Sequence, residues 1–78
     1  MNLDLNSFDA ITIMVTTPIS RDFSTITDFD ADIHQDRLLI STSDNREISF
    51  PAKGWIEFVD ENMIQLIDGG IEICIEGI

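Results

Sequence analysis

Residues 37–50 read RLLISTSDNREISF. Two strand-like runs, RLLIST (37–42) and REISF (46–50), flank Ser43, Asp44 and Asn45. A three-residue loop pairs Thr42 with Arg46, which sets Ile40 opposite Ile48 and Leu38 opposite Phe50. Ser41 then falls beside Glu47 on the other face. A two-residue loop would pair Ile40 with Ser49 and mix the faces. One residue of slip exchanges core and solvent, so the register with separated faces is expected. Asn45 lands at the third loop position, where a left-handed conformation is wanted and Asn tolerates it.

The same argument extends along the chain. Further strand-like runs are AITIMVT (10–16), STITDFD (24–30), GWIEFV (54–59), MIQLI (63–67) and GIEICIE (70–76), with Pro18 and Pro51 between segments. A three-residue loop at Asp60, Glu61 and Asn62 sets Phe58 opposite Ile64 and Ile56 opposite Leu66. A two-residue Gly69-Gly70 turn pairs Ile64 with Ile75 and Leu66 with Ile73. The resulting C-terminal meander carries Ile56, Phe58, Ile64, Leu66, Ile71, Ile73 and Ile75 on its core face. A helix over 55–67, stopped by Gly69, is the main alternative, since Trp55, Val59, Met63 and Leu66 have roughly helical spacing. Phe58 and Ile64 fall off that stripe.

Composition supports the strands. The chain has 14 Ile against five Leu, 22 β-branched residues and only three Ala. The expectation is a mostly β fold: a single small antiparallel sheet domain over 1–78, barrel or sandwich-like. Seventy-eight residues leave a thin stability margin, and the one cysteine, Cys74, rules out an intramolecular disulfide. A lone cysteine fits a reducing compartment, and no signal-like or membrane-spanning run appears, so a soluble cytoplasmic protein is expected.

Fifteen acids against four bases give a net charge of −11, while 44% apolar content argues against disorder. Such a charge opposes contact with nucleic acid or anionic lipid and favours a basic protein surface. The folded surface should be near 4,800 Å² by mass scaling, and a standard interface takes about 800 Å² of it. Evenly spread acids would put only two or three in such a patch, so complementarity requires clustering. Residues 22–36 and 57–76 lack any cation and are the regions that can supply it.

In the first region, TDFDADIHQD (27–36) holds Asp28, Asp30, Asp32 and Asp36. Their spacing matches four positions of an EF-hand loop, but Ile33 replaces the required Gly and Leu39 the bidentate Glu. A small divalent-cation-binding domain is therefore a minor alternative. If 26–33 is extended, Asp28, Asp30 and Asp32 share one face at a spacing of about 6.8 Å, close to two nucleotide steps. In the second region, the meander register turns Trp55, Val59, Met63 and Ile67 outward beside Glu57, Gln65, Glu72 and Glu76. Trp and Met anchor interfaces. The other reading of that face is a second layer, from strand 10–16 or the N-terminal LDLNSF, covering it.

Catalytic and cofactor equipment is missing from the pattern. His34 is the only histidine, Cys74 has no ligand or base near it in sequence, and no glycine belongs to a phosphate loop. Little room for a cleft is expected at this size. The reading is a non-enzymatic acidic protein, without cofactor, that occupies a basic surface of a partner such as a nucleic-acid-binding enzyme. A homo-oligomeric assembly subunit is the alternative, through exposed strand edges. In size, acidity and lack of catalytic residues, the chain resembles the anti-CRISPR and anti-restriction inhibitors of bacteriophages, some of which act as DNA mimics. That resemblance is one of profile over the whole chain; it carries no motif and assigns no residue.

Overall fold

The computed structural model describes residues 2–78, and its regular elements are strands and two short 3-10 turns. The strands are β1 (Ala10–Thr16), β2 (Arg21–Thr27), β3 (Phe29–His34), β4 (Arg37–Thr42), β5 (Glu47–Pro51), β6 (Ile56–Phe58), β7 (Met63–Asp68) and β8 (Ile71–Gly77). All pairs are antiparallel and form two sheets, ordered β2-β1-β8-β7-β6 and β3-β4-β5. The inner faces of both sheets supply one core: Ile11 and Ile13 of β1, Leu38 and Ile40 of β4, Phe50 of β5, Ile64 and Leu66 of β7, and Ile73 and Ile75 of β8. The architecture is a small sandwich with a radius of gyration of 11.9 Å.

The β4–β5 hairpin has the register that separation of faces requires, with Leu38 opposite Phe50 and Ile40 opposite Ile48. Its turn is closed by the Thr42 N–H donating to the Arg46 carbonyl at 2.9 Å, and Asn45 is left-handed at φ 65°. The Gly69-Gly70 turn also matches, since Asp68 faces Ile71 and Ile64 faces Ile75. Both glycines have positive φ, 58° and 87°, as a two-residue hairpin turn with right-handed twist demands. Pro51 is the last residue of β5 rather than a linker residue, and β5 is a sheet edge where a missing N–H breaks no ladder.

The β6–β7 connection departs from expectation, and the helix alternative over 55–67 fails with it. Val59–Glu61 form a 3-10 turn, so the loop holds four residues rather than three, and Phe58 faces Met63. Asn62 is left-handed, as expected, at φ 54°. The slip of one residue reverses β6. Ile56 and Phe58 point to solvent, whereas Trp55 and Glu57 turn inward. The physical gain is visible at both inward residues. Trp55 packs edge-on against Phe50, with ring centroids 6.1 Å apart, and its indole N–H donates to the Pro51 carbonyl at 2.7 Å. Glu57 accepts from the backbone N–H groups of Asn2 and Leu3, both at 2.7 Å. The half-buried Trp55 ring and the hydrogen bonds of Trp55 and Glu57 offset the outward turn of Ile56 and Phe58. Ile71 lies on the inner side but at the rim, and is 42% exposed.

Residues 2–8 strap one side of the sandwich. Glu57 holds the segment to β6, Leu5 is buried in the core, and the Asn6 amide pairs with β3. Asn6 Nδ2 donates to the Ala31 carbonyl and Asn6 Oδ1 accepts from the Ala31 N–H, both at 2.7 Å. Phe8 then lies on Gly77 so closely that an added Cβ would meet its ring at 2.3 Å. Gly77→Ala is expected to destabilise by about 1–3 kcal/mol through this overlap. Urea denaturation checks it, and an unchanged midpoint would mean that Phe8 does not pack there.

Candidate partner-binding surface

Register alone assigns the outer face of the five-stranded sheet. One row across it runs Phe23, Met14, Cys74, Gln65, Ile56. The next runs Thr25, Thr12, Glu76, Met63, Phe58, and the third runs Arg21, Thr16, Glu72, Ile67. Neither layer considered for covering this face does so. Strand 10–16 is β1, in the same sheet, and the LDLNSF segment sends Leu5 to the inner core. The apolar side chains therefore stay open: Phe23 is 65% exposed, Ile67 63% and Ile56 51%. Five strands at about 4.8 Å spacing and six or seven residues at about 3.4 Å make a face of roughly 20 Å each way. Its projected area, about 400 Å², is roughly half of what a standard interface takes from one partner.

The expected binding residues divide between opposite sides of the molecule. Met63, Glu72 and Glu76 stand together on this face, as the alternation required. Trp55 and Glu57 do not join them, because of the β6 slip. Asp30 and Asp32 lie on β3 opposite Ser41 and Leu39, on the outer face of the other sheet. Asp28 leaves their row: it is left-handed, φ 52°, at the corner where the chain passes from β2 to β3. Asp36 sits in the β3–β4 turn beside left-handed Gln35, φ 56°. The three-carboxylate track is thus reduced to two, and among the described residues no three His, Cys, Asp or Glu side chains converge as a metal site.

Phe23, Met14, Ile56 and Phe58 belong to the surface and were not assigned to it from sequence. Phe23 precedes the run 24–30, which straddles two strands, so its partner Met14 was invisible as well. The alternation of RDFSTIT (21–27) was the available signal.

The electrostatics of the face are one-sided. Among the described residues the single ion pair is Arg46 with Asp44, in the distant β4–β5 turn, at 2.8 Å. Hydrogen bonds from Thr42 and then Arg46 hold the Asp44 carboxyl below its ordinary range. Glu72 has only neutral donors, Gln65 Nε2 at 2.6 Å and Cys74 Sγ at 3.5 Å. Arg21, on its row, stands two strands away, roughly 10 Å. Desolvation, with the Glu72 carboxylate beside it, pushes the Cys74 thiol up.

A cleft of about 700 Å³ lies between β2 and the β4–β5 turn, contrary to the expectation from size. Its carboxylates, Asp44 and Glu47, meet no histidine or cysteine there. Among the described residues no helix is long and apolar enough to cross a membrane. Compared with known protein families, curated proteins and solved structures, the chain matches none.

The Cys74 shift has a definite sign. A thiol whose folded value is raised adds stability below its unfolded value and loses it as pH rises through the folded one. Alkylation by iodoacetamide at pH 8 should be slower than for a free thiol, and Glu72→Gln should accelerate it. Equal rates in the two proteins would remove Glu72 as a cause.

Proposed function

We propose that this protein is a small acidic, non-enzymatic binding module that acts in the cytoplasm by occupying a basic surface of a partner protein. The five-stranded outer face is the docking surface. One observation carries the reading: Glu72 and Glu76 on the central strand β8 are flanked by Met14 and Phe23 on one side and by Met63, Ile56 and Phe58 on the other, and among the described residues neither carboxylate makes an ion pair. Aromatic side chains supply affinity once water is excluded, while charges steer the encounter and reject wrong partners. Glu72 and Glu76 lie on the face; Asp60, Glu61 and Asp68 lie at its ends, in the 3-10 turn and at the end of β7. Their complement is a Lys or Arg cluster flanked by apolar side chains.

Surfaces that hold nucleic acid are rich in such cations, and covering one would inhibit its owner. That makes a nucleic-acid-binding enzyme the partner class of choice. The acidic row on β3 contributes to the overall field rather than to the contact, because it faces the other way.

Capture from cell lysate at 50 mM salt, with mass spectrometry, should return a basic protein that is released by 200 mM salt. The double substitution E72K/E76K should abolish that capture, and Ile56→Asp should weaken it by roughly tenfold or more. All three residues are outward, so the variants should melt as the parent does. Retention of the partner by both variants would overturn the proposal, as would retention indifferent to salt.

A further inference from the structure

The two sheets have four edge strands, and three of them are very short, capped or ended by proline. The β6 edge has three residues and is held by the N-terminal strap through Glu57. The β3 edge is capped at Ala31 by both ends of the Asn6 amide. The β5 edge ends at Pro51, whose carbonyl is taken by Trp55. The β2 edge has none of these devices. It runs seven residues without proline, glycine or bulge, and after Arg21 and Asp22 its last five residues, FSTIT (23–27), are uncharged and rich in β-favouring types.

The direction of its backbone groups follows from the β1–β2 turn. Thr17 N–H donates to the Ser20 carbonyl at 2.8 Å, so Thr17 and Ser20 form a hydrogen-bonded pair. Opposed residues alternate between bonded and non-bonded pairs in an antiparallel ladder. Asp22, Ser24 and Ile26 therefore bond to β1, and Arg21, Phe23, Thr25 and Thr27 turn their N–H and C=O groups outward. Thr25 and Thr27 line the 700 Å³ cleft, which has half-buried Ile26 and Ile48 on its walls and, along it, Glu47 and the Asp44–Arg46 ion pair.

We propose that β2 is a strand-addition site for an extended segment of a partner protein in which apolar and basic residues alternate. The chain already bridges β6 and β3 with its own residues 2–7, through the Glu57 carboxylate, the Asn6 amide and one buried leucine. The open seam at β2 has no such segment among the described residues. Ile26 and Ile48 select an apolar side chain at alternate positions. The net charge of −11 favours a cationic segment and, at low salt, disfavours a second copy of this chain. Backbone pairing supplies affinity and the alternate side chains supply specificity. The site is separate from the sheet face and stands whether or not that face binds.

The probe is a capped heptapeptide of alternating Ile and Lys, matching the seven residues of β2. Its addition should slow amide exchange at Phe23, Thr25 and Thr27, read by NMR. Thr25→Pro removes one outward N–H and leaves the β1 ladder intact, so binding should fall at least about tenfold. Thr25→Val should bind as the parent does, and Ile56→Asp should leave peptide binding unchanged. A peptide N-methylated at every second residue, which tests the pairing without altering the protein, should not bind. Equal binding by the methylated peptide or by Thr25→Pro would overturn the proposal. So would protection confined to the sheet face, or protection of β2 that grows with protein concentration and needs no peptide.

Discussion

The pairing of β1 with β8 is the constraint on which the molecule rests. It joins residues 11–16 to residues 72–77, almost the full length of the chain apart. The β1–β2 hairpin and the β6–β7–β8 meander are each local, and neither buries both of its faces. When β1 and β8 pair, Ile13 meets Ile75, Val15 meets Ile73, and the five-stranded sheet exists. Only then is its inner face broad enough to cover Leu38, Ile40 and Phe50 of the other sheet. Ile11, Ile40, Ile64 and Ile75 become fully buried, each worth roughly 1.5–3 kcal/mol. The Phe8–Gly77 contact sits at the end of this same pair of strands, so the strap and the central pairing reinforce one another.

That dependence explains how far the sequence could be read. Turns joining neighbouring strands were legible, because loop chemistry and face separation act over a few residues. Leu38 with Phe50, Ile64 with Ile75, and left-handed Asn45 and Asn62 all follow from them. The four-residue connection before Met63 was not, because separation of faces favoured Ile56 and Phe58 inside. What reversed it lies elsewhere in the chain: Phe50 and Pro51 receive Trp55, and Asn2 and Leu3 receive Glu57. Asp28 was misplaced for a related reason. Periodicity shows a continuous run from 24 to 30, but a sandwich needs a corner there, and a left-handed Asp makes it. The candidate surface was legible in proportion. Met63, Glu72 and Glu76 depend on the meander, whereas Phe23 and Met14 depend on a hairpin whose register was not worked out.

The treatment of exposed backbone is equally uneven. Asn6 uses its side chain to satisfy the main chain of Ala31 at a sheet edge, and Glu57 of β6 satisfies the main chain of the strap at Asn2 and Leu3. Such contacts stabilise the strap, and the first also denies the β3 edge to other chains. β2 combines an open edge with an outer face that continues through Phe23 and Met14 to Ile56. A partner strand added there would extend the five-stranded sheet by one strand and widen the apolar face beside it. Edge and face are thus geometrically compatible, although each has its own chemistry.

An apolar face on a strand-rich protein invites self-association, and the charge decides against it in a manner that depends on salt. Two copies of net charge −11, with centres 26 Å apart, repel by roughly 19 kcal/mol in water without screening. Screening reduces this to roughly 8 kcal/mol at 0.01 M salt and to below about 1 kcal/mol at 0.15 M. Self-association through the face therefore strengthens as salt rises. Binding to a cationic partner weakens over the same range, because the attraction is screened by the same ions. The two uses of one surface have opposite salt dependence, so at low salt the carboxylates act as a selector that turns away like copies and admits a basic surface, and by 0.15 M that selection has largely faded.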